Sequence, residues 1–151
     1  MTATTLAARP QDMIDLAEAL RPALLRLSRR LRQEGQKAGL SALDSMLLAR
    51  IRTVPGIGVC DLADEEQISR PTMSGHVKRL AAAGWVRRME DAADGRRSGL
   101  IVTPAGLRQI EAIRRRRNDW LAARLARLSP EARAQVADAC NPLLQLLAVG
   151  S

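Results

Sequence analysis

A chain of 151 residues has the size of one compact domain, and a hydrophobic content of 46% is enough for a real core. With no Phe, no Tyr and two Trp, that core is aliphatic, which suits packed helices, and the aromatic platforms on which RNA readers stack bases are almost absent. The formal charge of +8 and the sequence pI of about 11.2 rest almost wholly on arginine, Lys37 and Lys78 being the only lysines; a polyanionic partner is implied, although a GC-rich genome gives the same composition.

No stretch approaches the roughly 18 apolar residues of a membrane span. The first ten residues lack the basic segment and apolar run of a secretory signal, and no lipidation motif appears, so a cytoplasmic protein without a membrane partner is expected. Cys60 and Cys140 are too few for a disulfide framework and have no zinc-ligand spacing, so neither metal nor cofactor is implied. Both are expected to be buried, reduced thiols. Cys60, beside Asp61 and Asp64, is read as structural rather than redox-sensing.

Pro10 opens a helical pattern with Ile14, Leu16, Leu20, Leu24, Leu27 and Leu31 on one stripe. Pro22 interrupts it, so a kink is expected there, and Gly35 and Gly39 mark its end. Ser41 is a good cap for a second helix carrying Leu43, Met46, Leu47, Ala49, Ile51 and Val54, which Pro55-Gly56 stops. A short helix over 59–66 precedes a turn and another helix from Arg70 to about Ala83. Ser69 is its cap, Pro71 is tolerated in its first turn, and Gly84 ends it. Residues 85–89 and 100–102 read as short strands around a polar turn, 90–99. After Pro104 the helical period returns with Leu107, Ile110, Ile113, Trp120, Leu121, Leu125 and Leu128. Ser129-Pro130 then starts a last helix with Val136, Leu143, Leu144 and Leu147, interrupted by Pro142.

The fold class is therefore mainly α with a small β-hairpin wing: a winged helix-turn-helix whose N- and C-terminal helices form a dimerisation layer. Residues 1–34 and 104–151 are assigned to that layer and 35–103 to the nucleic-acid-binding domain. The outer helices carry more apolar residues than a small central domain can cover, so their faces need each other or another subunit.

Two short helices joined by a tight turn suit a major groove, the second entering it while the first braces the backbone. In the second, Met73, Val77 and Leu80 are spaced to face inward. That leaves Ser69, Arg70, Thr72, Ser74, Gly75, His76, Lys78 and Arg79 mostly outside. Hydroxyls there can meet phosphates or base edges, Gly75 permits close approach, and the cations suit phosphate or guanine. An ordinary amphipathic helix with a solvated basic face has the same pattern. The hairpin tip adds weight to the first reading: Asp94, Arg96 and Arg97 stand where an Arg can enter a minor groove, with Asp94 orienting it.

At this point the chain resembles the MarR family of winged-helix regulators. The resemblance is carried in order by Leu62-Ala63, Ser69-Arg70-Pro71-Thr72-Met73-Ser74, Leu80, Gly84-Trp85-Val86, Asp94-Gly95-Arg96-Arg97 and Val102-Thr103-Pro104-Ala105-Gly106. Each piece is weak and the ordered set is strong. It implies a homodimer joined through its terminal helices, a recognition helix at 69–79 and a wing pair of Asp94 with Arg96. It also implies a palindromic promoter site on double-stranded DNA and a repressor that a small-molecule effector releases; no effector-binding residue is assigned. Glu66 stands where the family has an apolar residue, which unsettles the packing of the first motif helix, and Pro142 is expected to distort the last helix and its interface.

Two rival functions are weighed. An enzyme would have to pair His76, the sole histidine, with Cys60, and no third orienting group is in view. A non-specific architectural nucleic-acid-binding protein would use the same basic surface and is the alternative to a sequence-specific regulator. Four consecutive arginines, Arg114 to Arg117, point around most of a helix and cannot form one patch; a solvated face paired with Glu111 or Asp119 is expected.

Overall fold

The computed structural model describes residues 9–89 and 99–148. Among them the order is α1 (Pro10–Gln36), α2 (Ala42–Thr53), α3 (Val59–Glu65), α4 (Arg70–Ala82), β1 (Val86–Arg88), β2 (Leu100–Val102), α5 (Pro104–Leu125) and α6 (Pro130–Ala148). This is the architecture the periodicity implies, with the first strand trimmed to its paired residues and the second as read. Both α1 and α6 continue through their internal prolines, Pro22 and Pro142.

Local chemistry sets the helix starts. Ser41 Oγ accepts from the backbone N–H of Asp44 at 3.0 Å, and Ser129 Oγ from that of Ala132 at 3.2 Å. Each satisfies a first-turn donor that the helix itself leaves free. Thr103 caps α5 by accepting from Gly106 N–H at 3.1 Å, while its own hydroxyl donates to the Gly84 carbonyl. Gly39 and Gly84, at φ +93° and +75°, let the chain leave α1 and α4 through the left-handed region that side chains avoid.

The strands pair antiparallel, Val86 opposite Val102 and Arg88 opposite Leu100. The segment after α2 joins them: Leu100 accepts from Gly56 N–H at 2.8 Å and donates to the Ile57 carbonyl at 2.9 Å. This clips the hairpin to the end of α2. The core is small and one-sided. Among the described residues every buried apolar side chain except Ile113 of α5 lies between Leu40 and Leu100, with Leu47, Leu48, Ile51, Leu62, Met73 and Leu80 fully enclosed. Trp85 packs against this cluster.

The outer helices are another matter. Glu34 and Gly35 are the buried residues of α1, and α6 has no buried residue. Met13, Ile14, Leu16, Leu24, Leu25 and Leu27 of α1 stand exposed, as do Val136, Leu144, Leu146 and Leu147 of α6. Such a quantity of apolar side chain in water marks a surface awaiting a partner. No helix among the described residues is long and apolar enough to cross a membrane.

The burial expected of the cysteines is overturned. Cys60 and Cys140 are both exposed free thiols: Cys60 sits on the outer side of α3, whose inner face Leu62 and Ala63 supply, and α6, which carries Cys140, buries no residue. Cys60 in a Cys140→Ser chain should therefore be alkylated in the native state at a rate close to that of the unfolded chain. Slow labelling would place it behind a covering surface.

Candidate nucleic-acid interface

The turn between α3 and α4 is made by residues 66–69. Gln67 adopts φ +53°, a left-handed conformation that few non-glycine residues take and that turns the chain sharply. Ser69 then starts α4: its Oγ accepts from Thr72 N–H at 3.4 Å and shares a hydrogen bond of 2.8 Å with the Thr72 hydroxyl. Glu66, the departure from the family pattern, is the residue that ends α3. Half-buried there, it leaves the packing to Leu62 and Ala63. Its neighbour Glu65 grips Arg50 of α2 through two bonds of 2.7 Å. The guanidinium holds the Glu65 carboxyl below the usual carboxylate range, and the carboxylate in turn raises Arg50. The short α3 is thus tied to α2 by charge as well as by apolar packing.

On α4, Met73, Val77 and Leu80 are buried, so the helix presents its other face outward. Ser69, Arg70, Thr72, Lys78 and Arg79 are exposed, whereas Ser74, Gly75 and His76 are half-buried. A methyl on Gly75 would meet nothing closer than Arg79 Nη1 at 4.0 Å, so the backbone is open to close approach. His76 is neither free nor simply solvated. Its Nδ1 lies 2.7 Å from Asp44 Oδ1 of α2 and 2.6 Å from Arg79 Nη2.

A crevice of about 130 Å³ separates α4 from the hairpin, lined by Ser74, Val77, Lys78, Ala81, Val86, Arg87, Arg88 and Leu100. Arg87 and Arg88 thus extend the basic surface of α4 onto the strand. Sequence reasoning passed over them as strand residues; the signal was two adjacent cations on a strand only three residues long. Asp94, Arg96 and Arg97 of the wing tip lie outside the described residues.

A second concavity lies between α1, α2 and α5. It measures about 680 Å³ and is lined by Leu43, Ser45, Met46, Ile110 and Ile113 with Arg32, Arg114 and Arg117. Of the four consecutive arginines, Arg114 pairs with Glu111 at 3.7 Å, Arg115 and Arg116 are exposed, and Arg117 is half-buried. The guanidinium of Arg117 passes over Gly35, where a methyl would come within 2.6 Å of Nε, and that Nε is buried without a partner. Trp120, one turn on, carries the Arg124 guanidinium 3.8 Å from its ring centre. Among the described residues no group of His, Cys, Asp and Glu could hold a metal ion.

The fold and this surface define a winged helix-turn-helix protein, and comparison with known proteins agrees. Residues 40–98 match the model of the MarR family. An HTH-type transcriptional regulator of Mycobacterium bovis is 32% identical over 132 residues, 87% of this chain and 92% of the relative; its counterpart in Mycobacterium tuberculosis matches equally. A transcriptional regulator of Pseudomonas aeruginosa superposes with a TM-score of 0.75 at 28% identity, over 95% of this chain and all of that one. MepR of Staphylococcus aureus, in a variant solved bound to an oligodeoxyribonucleotide, shares the fold with a TM-score of 0.68 at 20% identity, over 87% of this chain and 97% of that one. The chain belongs to the MarR family and is a transcriptional regulator.

Proposed function

We propose that this regulator is a cytoplasmic homodimeric repressor without enzymatic activity, and that it binds a palindromic promoter site on double-stranded DNA. The outward face of α4 carries the reading: it presents Arg70, Lys78 and Arg79 on a helix whose opposite side is locked into the core by Met73, Val77 and Leu80. Ser69, Thr72, Ser74, Gly75 and His76 complete the recognition helix, and Asp94, Arg96 and Arg97 form the wing. Asp44 supplies His76 with the orienting acid that the sequence did not reveal, but the other group on the ring is the Arg79 guanidinium and not a nucleophile, which disfavours catalysis. A small molecule in the cavity between α1, α2 and α5 releases the DNA. The unpaired Nε of Arg117 and the absence of any acid among the lining residues suit an anionic group on an apolar body. The α2 turn that lines this cavity also bears Asp44, the partner of His76 and Arg79, which gives an occupant a physical route to α4.

Binding-site selection from a random duplex pool tests this. The expected product is a palindrome with half-sites about 10–10.5 bp apart. Affinity for it should fall with salt at a slope near −0.9 per neutralised phosphate. Arg79→Ala or Ser74→Ala should flatten preference inside the half-site, where a good base contact is worth roughly 1–3 kcal/mol. Arg96→Ala should instead flatten only the flanking A·T positions, because the minor groove is read by width. Recovery of no preferred sequence, with binding lost to excess random DNA, makes the chain an architectural binder.

A further inference from the structure

Asp44 lies outside the helix-turn-helix, in the first turn of α2, yet its side-chain partners are both on α4. Its Oδ1 is 2.7 Å from His76 Nδ1 and 3.6 Å from Arg79 Nη2. The Asp44 and His76 side chains are 13% and 16% exposed, while that of Arg79 is 60% exposed. The acid therefore sits behind the face of α4, with the histidine over it and the arginine reaching outward. A single ring nitrogen cannot both donate to a carboxylate and accept from a guanidinium. With a proton on Nδ1 the imidazole bonds Asp44, and Arg79 is steered by the carboxylate charge alone; without it, Nδ1 takes the Arg79 N–H. Either state ties the basic end of α4 to one residue of α2.

We infer that Asp44 is a positioning residue for DNA reading, which fixes the directions of His76 and Arg79 without itself touching DNA. This rests on the reading of α4 as the recognition helix. Ordering a free arginine on binding costs conformational freedom, and a carboxylate that orders it beforehand removes that cost from the binding step. The sign of the effect separates this role from simple electrostatics. As a bare negative charge near phosphates, Asp44 could only weaken binding to every DNA, so its removal would tighten all complexes alike. As a positioning residue, its removal loosens the specific complex alone.

The test is Asp44→Asn, measured on the duplex selected by the unaltered chain and on random-sequence DNA. The Ser41 cap uses the backbone N–H of Asp44 and survives the change, which a thermal melt verifies; Asp44→Ser replaces it should the Asn variant melt early. Affinity for the selected duplex should fall about tenfold, the scale of one lost base contact, while affinity for random DNA holds or rises. In a His76→Ala/Arg79→Ala background the same substitution should cost nothing further, since its route has been removed. Equal tightening on both DNAs overturns the inference, and so does a further loss in the double background. If Arg79→Ala loses the selected duplex and Asp44→Asn keeps it, the inference falls and the recognition helix stands. If Arg79→Ala and His76→Ala also keep it, the reading of α4 falls as well.

Discussion

Gly106→Ala is expected to destabilise the protein by about 3 kcal/mol, the upper part of the range for forcing a methyl into packed structure. For a chain of this size that lowers Tm by roughly 10 °C. Gly106 sits in the first turn of α5, where the end of α4, the start of β1 and the end of β2 converge. A Cβ there would run into the Trp85 carbonyl and come within 2.7 Å of Val102 Cγ1. Neither obstacle yields easily. The Trp85 carbonyl accepts from Thr103 N–H at 2.9 Å, and Val102 is paired with Val86 across the hairpin. Relief requires α5 to shift against the hairpin, so DNA affinity should fall alongside Tm. Gly75→Ala should do the opposite to stability. With open space around its Cβ, an alanine in mid-helix gains about 0.5–1 kcal/mol over glycine. Differential scanning calorimetry of the two variants distinguishes them by sign. An unchanged Tm for Gly106→Ala would mean that α5 slides freely on the hairpin, contrary to the packing described.

That contrast also shows what the sequence makes legible. The helices were readable because their signals are local. Ser41, Ser69 and Ser129 announce caps within three residues of the donors they satisfy, and Met73, Val77 and Leu80 announce an inner face by their own spacing. The architecture of α4 and the hairpin followed from the same short-range chemistry, with each end of β1 misjudged by one residue, where pairing rather than propensity decides. The partnership of Asp44 with His76 was not readable. It spans 32 positions, and an acid at a helix N-terminus already has a sufficient local reason to be there. The cysteines misled for a related reason: a general tendency of thiols to be buried was overridden by the outer face of α3 on which Cys60 falls and, for Cys140, by a helix that buries no residue. Arg117 was not legible: the four successive arginines read as a solvated face, and only the packing of α5 on Gly35 turns Arg117 inward.

Replacing Leu144 and Leu147 together by Glu should convert the proposed homodimer to a folded monomer. In the single chain these side chains are 65% and 78% exposed, so the substitutions remove little intramolecular packing and the monomer's helical content and core should persist. They lie three residues apart on one face of α6, a helix with no buried residue of its own, beside a chain whose α1 exposes a comparable apolar row. In a two-fold dimer each substitution counts twice. Four leucines, each worth about 1.5–3 kcal/mol when fully buried, amount to roughly 6 kcal/mol or more, which raises the dimer dissociation constant by at least about four decades. Glutamates opposed across the axis add like-charge repulsion. DNA binding should fail with the dimer, because two recognition helices held at a fixed spacing read a palindrome as one event, whereas a monomer reads one half-site with the affinity of a single α4. Sedimentation at micromolar concentration, paired with binding to the selected duplex, measures both consequences. A variant that stays dimeric places the interface on α1 instead. A variant that becomes monomeric yet holds the full site with unchanged affinity removes the two-fold reading of the operator.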